Sequence, residues 1–432
     1  MVASALRLER LHDKNPRSSG DDRSQAQRDR DRILYSSSFR RLAEVTQVVS
    51  ANSGYVFHNR LTHSLQVAQV GRRLAEKLLV RYPVLAADCV CPDVVEAACL
   101  AHDLGHPPFG HVAEHCLNEL AHLHGGFEGN AQSFRIVSRL ASRSGAYGGL
   151  DLTCATLAAL LKYPWLKGDN PDKRNKWGAY KSEIESFAFA ARLLPALNKR
   201  TVEAELMDWA DDVTYSVHDL EDFFRAGRLP LHLLLQRDSR ERTFFFENAL
   251  DRHKDDKDFP AAEDLKEIFL GALLPTFSIT RAYDGSSVQR AALRHFTGIL
   301  IGRYINAVAL VEEGGRVRAV IEPNLRAEVT MLKELIWTYV IEAPSLAARQ
   351  YGQQRIMKDL FSIYADLASR SQTWQAFPTF YRERLKEAQG RPEDIVRTCV
   401  DLIASMTESQ AIAMHRRLTG QDHAVGLDDI LQ

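Results

Sequence analysis

Eight of the 15 histidines in this 432-residue chain fall between positions 58 and 124: His58, His63, His102, His106, His111, His115, His122 and His124. Imidazoles so concentrated can ligate a metal ion or carry protons, and the centre of the cluster is the run AHDLGHPPFGH from Ala101 to His111. The apolar segment VVEAACLA reads as a helix that runs into His102-Asp103 and is broken by Gly105, Pro107 and Pro108. Neighbouring helical residues point about 100° apart, so this pair can share one ion only if the site nestles against the helix end. Further ligands must then come from a second helix, for which His63 lies just inside the start of one beginning near Leu61, and from a carboxylate elsewhere. A mixed imidazole and carboxylate set suits Mn, Fe, Ni, Co or Mg better than structural zinc, which favours thiolates.

The carboxylate can come from residues 204–224. There Leu206, Trp209, Val213, Val217, Leu220 and Phe224 recur at spacings of 3, 4, 4, 3 and 4, the strongest helical pattern in the chain. Asp208, Asp211, Tyr215, Asp219 and Asp222 form the opposite stripe at spacings of 3, 4, 4 and 3. Standing alone, that stripe would read as a solvated acidic face. Beside a His-Asp pair it reads as a source of ligands. His218-Asp219 is a second His-Asp dipeptide, but it lacks the helix-breaking Gly and Pro residues and the histidine-rich surroundings of His102-Asp103.

The composition narrows the class. With 45% apolar and 26% charged residues the chain can bury a substantial core, and a net charge of -1 excludes the overall basic excess of a DNA-coating protein. Six cysteines without a CxxC pair do not make a disulfide framework. The start, MVASALRLERLHDKN, has no apolar core for a signal peptide. The windows Leu152 to Leu161 and Gly298 to Val311 are too short or too charged to span a bilayer. The expectation is a soluble, cytoplasmic protein with no membrane partner.

The elements that must position these groups are mostly α-helical. Val67, Val70, Leu74 and Leu78 make one apolar face, and further helices are expected at 183–197, 286–311, 326–341, 351–369, 379–388 and 393–417. Strand signals are scarce. Residues 1–32 are expected to form a mobile basic arm, since 13–31 are almost free of apolar side chains; 33–225 a catalytic core; and 226–432 a helical region completing the pocket and oligomer contacts. Residues 167–181 and 251–258 read as exposed charged loops.

Several ordered segments carry a resemblance. They are Ser38-Phe39-Arg40-Arg41-Leu42 with Thr46-Gln47-Val48, then HNRLTHSL from His58 to Leu65, then HDLGHPPFGHVAE from His102 to Glu114. Phe127 to Gln132 (FEGNAQ) and Ala210 to Asp222 (ADDVTYSVHDLED) continue the series, and ASMT at 404–407 matches more thinly. Together they resemble the HD-domain metal-dependent phosphohydrolases, and among these the dGTPase-like deoxynucleoside triphosphate triphosphohydrolases. The fold this implies is mostly α, an HD-domain helical core with additional C-terminal helices.

The resemblance implies His63, His102, Asp103 and Asp211 as ligands of a divalent metal ion (Mn, Mg, Fe, Co or Ni). It implies Tyr215 and Asp219 as contacts to a deoxyribose, Gln47 as a sugar or base contact, and Arg60 as a phosphate clamp; Asn130 and His106 would also reach the substrate, and Arg40 and Arg41 are weaker candidates. His111 and Glu114, at i and i+3, would face each other on a helix, so that the carboxylate orients and charges the imidazole as an acid/base pair. The activity implied is hydrolysis of deoxynucleoside triphosphates, dGTP among them, to deoxynucleoside and triphosphate. The alternatives are hydrolysis of another nucleotide (a monophosphate, a cyclic dinucleotide or ppGpp) and a non-catalytic nucleotide or nucleic-acid sensor. A homo-oligomer, a hexamer by analogy, is expected, with Leu293, Phe296, Leu300, Tyr304 and Ala307 as one candidate face and Trp337, Tyr339 and Val340 on another helix. Arginine-rich 7–32 and the 167–181 loop are where a regulatory nucleotide or single-stranded DNA would bind.

Overall fold

A computed structural model describes residues 2–12, 20–47, 58–236, 239–254, 259–341 and 344–421. Three helices form the frame of the site. Arg60–Arg81 starts at a capping box in which Asn59 and Thr62 satisfy each other's backbone N–H groups, and it buries Val67, Val70, Leu74 and Leu78 as their spacing requires. Pro92–Ala101 opens on proline, whose missing N–H costs nothing in the first turn, and buries Val94, Val95 and Ala97 to Ala101. Val202–Arg225 runs for 24 residues and buries the whole apolar stripe from Leu206 to Phe224. It packs against both other helices, which also pack on each other.

Where Pro92–Ala101 ends, the chain turns sharply against the Gly129–Arg135 helix. A Cβ at Gly105 would lie 2.2 Å from both the Gly129 carbonyl oxygen and the Ser133 nitrogen, so only glycine allows this approach. Ser133 Oγ fastens the turn by donating to the His102 carbonyl at 2.7 Å and accepting from Gly105 N–H at 2.8 Å. Arg41, half-buried, donates to the carbonyls of Leu104 at 2.9 Å, His106 at 2.7 Å and Met406 at 3.0 Å. The turn is thereby tied to the C-terminal helices, of which Pro344–Ala368, Pro392–Ser405 and Glu408–Leu418 share an apolar core with His111–Leu120.

Several expectations are corrected. Of the expected arm, Val2–Leu8 and Gln25–Leu34 are helices, and the latter packs on Pro92–Ala101. Arg10 pairs with Asp29 at 2.7 Å with both side chains at most 1% exposed, and Asp29 accepts from Thr153 N–H at 2.8 Å. Charge that reads as solvent-facing is here buried and satisfied. Residues 13–19 lie outside the described residues. The helix expected at 286–311 ends at Asn306, and an antiparallel hairpin follows, Val308–Glu313 with Arg316–Ile321. Helix 393–417 is two helices divided at Met406 and Thr407, and 183–197 is helical only over Ile184–Ala191 after a short 3-10 turn. Leu293, Phe296, Leu300 and Tyr304 are at most 1% exposed and Ala307 7%, so that face is spent inside the chain. All six cysteines are free. Among the described residues no helix is long and apolar enough to cross a membrane.

Candidate active site

The three framing helices and the glycine turn converge on His63, His102, Asp103 and Asp211. The donor atoms of His63, His102 and Asp103 all lie within 4.8 Å of one another, and these three residues are buried. Asp211 Oδ1 lies 3.1 Å from His63 Nε2 and 3.6 Å from His102 Nε2. His102 Nδ1 is 2.6 Å from the Cys99 carbonyl, so this nitrogen carries the proton and donates it, leaving the Nε2 lone pair turned toward the carboxylates. That Nε2 is buried and makes no hydrogen bond, although Asp103 Oδ1 is only 3.4 Å away. Two imidazole nitrogens and two carboxylates facing one point, one nitrogen without a partner, fit a divalent cation of the Mn, Fe, Co, Ni or Mg kind.

The electrostatics hold the carboxylates ionised. Burial opposes the charge on Asp103, but Arg60, His102 and His106 outweigh it and hold the carboxyl well below its ordinary value. Arg60 Nη1 donates to Asp103 Oδ2 at 2.6 Å, and His106 Nδ1 lies 3.0 Å from Oδ1. Asp211 is held low in the same way, burial being overcome first by Lys162 and then by His102. Burial would lower His102, yet Asp103 and Asp211 raise it to about 9, so without a metal Nε2 holds a proton that a bound cation would displace. Asp212 turns away to an ion pair with Lys333, and burial pushes its carboxyl up. The two neighbouring aspartates therefore occupy different environments.

A cavity of about 640 Å³ opens over these groups. Of the residues singled out from the sequence, Gln47, Arg60, His102, Asp103, His106, His111, Glu114, Asn130, Asp211 and Tyr215 line it. His111 starts its helix at Gly110, with φ of 59°, after Phe109 with φ of 68°, a left-handed conformation that is costly for a non-glycine residue. Glu408 Oε1 secures this corner by accepting from Thr46 N–H at 3.0 Å and Phe109 N–H at 3.3 Å. His111 Nδ1 is 2.9 Å from Glu114 Oε2, with the imidazole 76% and the carboxylate 11% exposed. Burial opposes charge on Glu114, but its hydrogen bond with His111 leads the groups that hold it below the ordinary carboxylate range. His106 is pressed down to about 4 by burial and then by Arg60, so it is neutral at pH 7.

Asp219 lies outside the cavity lining. It is 3% exposed, its Oδ2 has no hydrogen-bond partner, and burial followed by Asp222 pushes its carboxyl well up. His115 is on the solvent side, its side chain 75% exposed, and Arg60 spends its guanidinium on Asp103 and on the Thr46 carbonyl at 2.9 Å. The lining also contains cations the sequence reading missed: Lys162, Lys176 and Lys333. Lys162 follows a buried apolar run and carries no spacing signal of its own. Lys176 sits in the stretch expected to be an exposed loop, which residues 171–175 are, whereas Trp177 and Tyr180 bury with Trp165, whose Nε1 donates to the Lys176 carbonyl at 2.7 Å. This places the Lys176 ammonium 3.4 Å from Glu114 and 3.2 Å from Glu128. The aromatics at 163, 165, 177 and 180 were the available signal.

The fold and site define an HD-domain protein: the HD domain matches residues 60–215, and the Phosphohydrolase-associated domain matches 319–417. A deoxyguanosinetriphosphate triphosphohydrolase-like protein of Streptomyces coelicolor is 38% identical, covering 97% of both chains. Like-named proteins of Corynebacterium efficiens and Shewanella baltica are 37% and 28% identical over 95% and 96% of this chain, and 96% and 97% of theirs. The chain belongs to the HD-domain family of deoxyguanosinetriphosphate triphosphohydrolase-like hydrolases.

Proposed function

We propose that the protein hydrolyses deoxynucleoside triphosphates, dGTP among them, to deoxynucleoside and intact triphosphate. The observation that carries this reading is one cavity holding a His/Asp donor set, an oriented imidazole and three lysines. His63, His102, Asp103 and Asp211 would hold a divalent ion, which when bound supplies charge neutralisation at the α-phosphate. Lys176 and Lys333 offer ammonium groups to the triphosphate, and Arg60 adds field from beneath Asp103.

His111 is the proton carrier. Its exposed imidazole, oriented through Nδ1 by Glu114, exchanges a proton through Nε2 with the attacking water or the departing 5'-oxygen. Tyr215, on the cavity wall, packs against the deoxyribose where a 2'-hydroxyl would go. Gln47 Oε1, also unpartnered, and Asn130 serve the sugar or base. Assembly of several copies belongs to the same proposal: Val80, Val84, Leu197 and Val288 are each at least 76% exposed, apolar side chains that such contacts would cover.

The test is to incubate the protein with each of the four dNTPs and a divalent metal and to separate the products. Deoxynucleoside with triphosphate is expected; orthophosphate or pyrophosphate as the sole inorganic product would overturn the reading.

A further inference from the structure

A third donor stands beside the acid/base pair. One ligand atom from each of His106, His111 and Glu114 lies within 4.8 Å of the other two, in a cluster that shares no residue with His63, His102 and Asp103. His106 Nδ1 lies 3.0 Å from Asp103 Oδ1, and a carboxylate can only accept, so the ring proton belongs on Nδ1 and the lone pair on Nε2. A Cβ at Gly129 would lie 3.5 Å from that Nε2 and 3.6 Å from Glu114 Oε1, so both atoms border the space that the missing side chain leaves. The rings of His106 and His111 meet edge to face with centroids 5.5 Å apart, and His111 Nδ1 is 2.9 Å from Glu114 Oε2. Gly129 N–H, at 3.2 Å, and the Lys176 ammonium, at 3.4 Å, hold the other oxygen of Glu114 in place.

We propose that His106, His111 and Glu114 form a second cation site, one that takes zinc and silences the proton carrier. Two imidazoles and a glutamate on the wall of an open cavity are a donor set that zinc takes with its remaining position free. Imidazole nitrogen also binds zinc in preference to manganese or magnesium, so the ion that fills this site need not be the one held by the His/Asp set. The consequence for turnover rests on the reading of His111 given above. An ion on Nδ1 takes the place of the proton shared with Glu114 and leaves the ring proton on Nε2, which then has no lone pair to accept a proton from water. The Lys176 ammonium opposes the added charge, so this site holds its ion more weakly than the four-ligand set and empties on desalting.

The experiment is equilibrium dialysis of the manganese-loaded whole protein against micromolar zinc, with both metals counted by elemental analysis and free manganese followed by electron paramagnetic resonance. One zinc per chain is expected in addition to the manganese. His111→Ala, Glu114→Gln and His106→Gln, whose amide can still donate to Asp103, should each weaken zinc binding about tenfold or more and keep manganese. Zinc that enters only as manganese leaves would overturn the site, and so would an added zinc that all three variants hold as tightly as the native protein. Dialysis needs no turnover, so its result stands apart from the catalytic reading. Hydrolysis of dGTP should fall with the same zinc dependence as filling; a filled site with turnover unimpaired would fault His111 as the proton carrier and leave the zinc site standing.

Discussion

Arg60 Nη1 donates to Asp103 Oδ2 at 2.6 Å, and both side chains are at most 6% exposed. A residue expected to clamp phosphate is thus bonded to a carboxylate of the metal-ligand set, fixing its second oxygen while the first faces His102 and His106. Arg60→Ala would strand a buried anion, and breaking a buried pair from one side costs about 3–5 kcal/mol. Denaturant titration of the metal-free protein should show a loss of that order. Arg60→Lys should recover part of it, because an ammonium cannot serve both Asp103 and the Thr46 carbonyl with the same geometry. A loss under about 1 kcal/mol for Arg60→Ala would mean that Asp103 finds another partner.

Asp211 faces two imidazoles whereas Asp212 faces Lys333. Asp211→Asn should therefore lower bound metal, measured by elemental analysis after reconstitution and desalting, while Asp212→Asn should retain it. The opposite pattern would shift the ligand by one residue.

His111→Ala should keep its metal and lose about 10²- to 10⁴-fold in kcat, the usual worth of a positioned acid/base group. Glu114→Gln, which leaves the imidazole in place without a charge partner, should fall between His111→Ala and the native protein and shift the pH profile. Equal metal loss in His111→Ala would assign His111 to the ligand set instead.

Burial, then His58 and His63, pulls His218 down to about 4, against an ordinary value near 6.5. The unfolded chain therefore takes up this proton at a higher pH than the folded one. Stability from the neutral imidazole is present above about pH 6.5 and is lost as pH falls toward about 4. Denaturation midpoints between pH 7 and pH 4.5 should fall more steeply for the native protein than for His218→Asn. Parallel slopes would show that His218 protonates freely in the fold.

Much of the frame was legible because period and burial agree. The stripe from Leu206 to Phe224, the face from Val67 to Leu78 and the helix-breaking run after His102 all follow from spacing alone. The hairpin at 308–321 was lost because the apolar run from Gly298 continues into it. Its signal was Gly314-Gly315, with φ of 61° and 73°, between alternating residues. Polar burial was the other blind spot. Asp29 and Arg10 read as solvated charges, yet they pair in the interior, where Arg135 also binds Asp401 at 2.7 Å, a pairing across 266 residues that local patterns cannot report. Lys162 and Lys176 reach the cavity through the same kind of long-range folding.

The most direct test of attack at the α-phosphorus is hydrolysis of dGTP in ¹⁸O-labelled water, with the label located by mass spectrometry. Water activated beside His111 and the His/Asp set should leave one ¹⁸O per turnover in the triphosphate, on the phosphorus that had carried the nucleoside, and none in the deoxyguanosine 5'-hydroxyl. Label in the 5'-hydroxyl, or in released orthophosphate or pyrophosphate, would contradict the account.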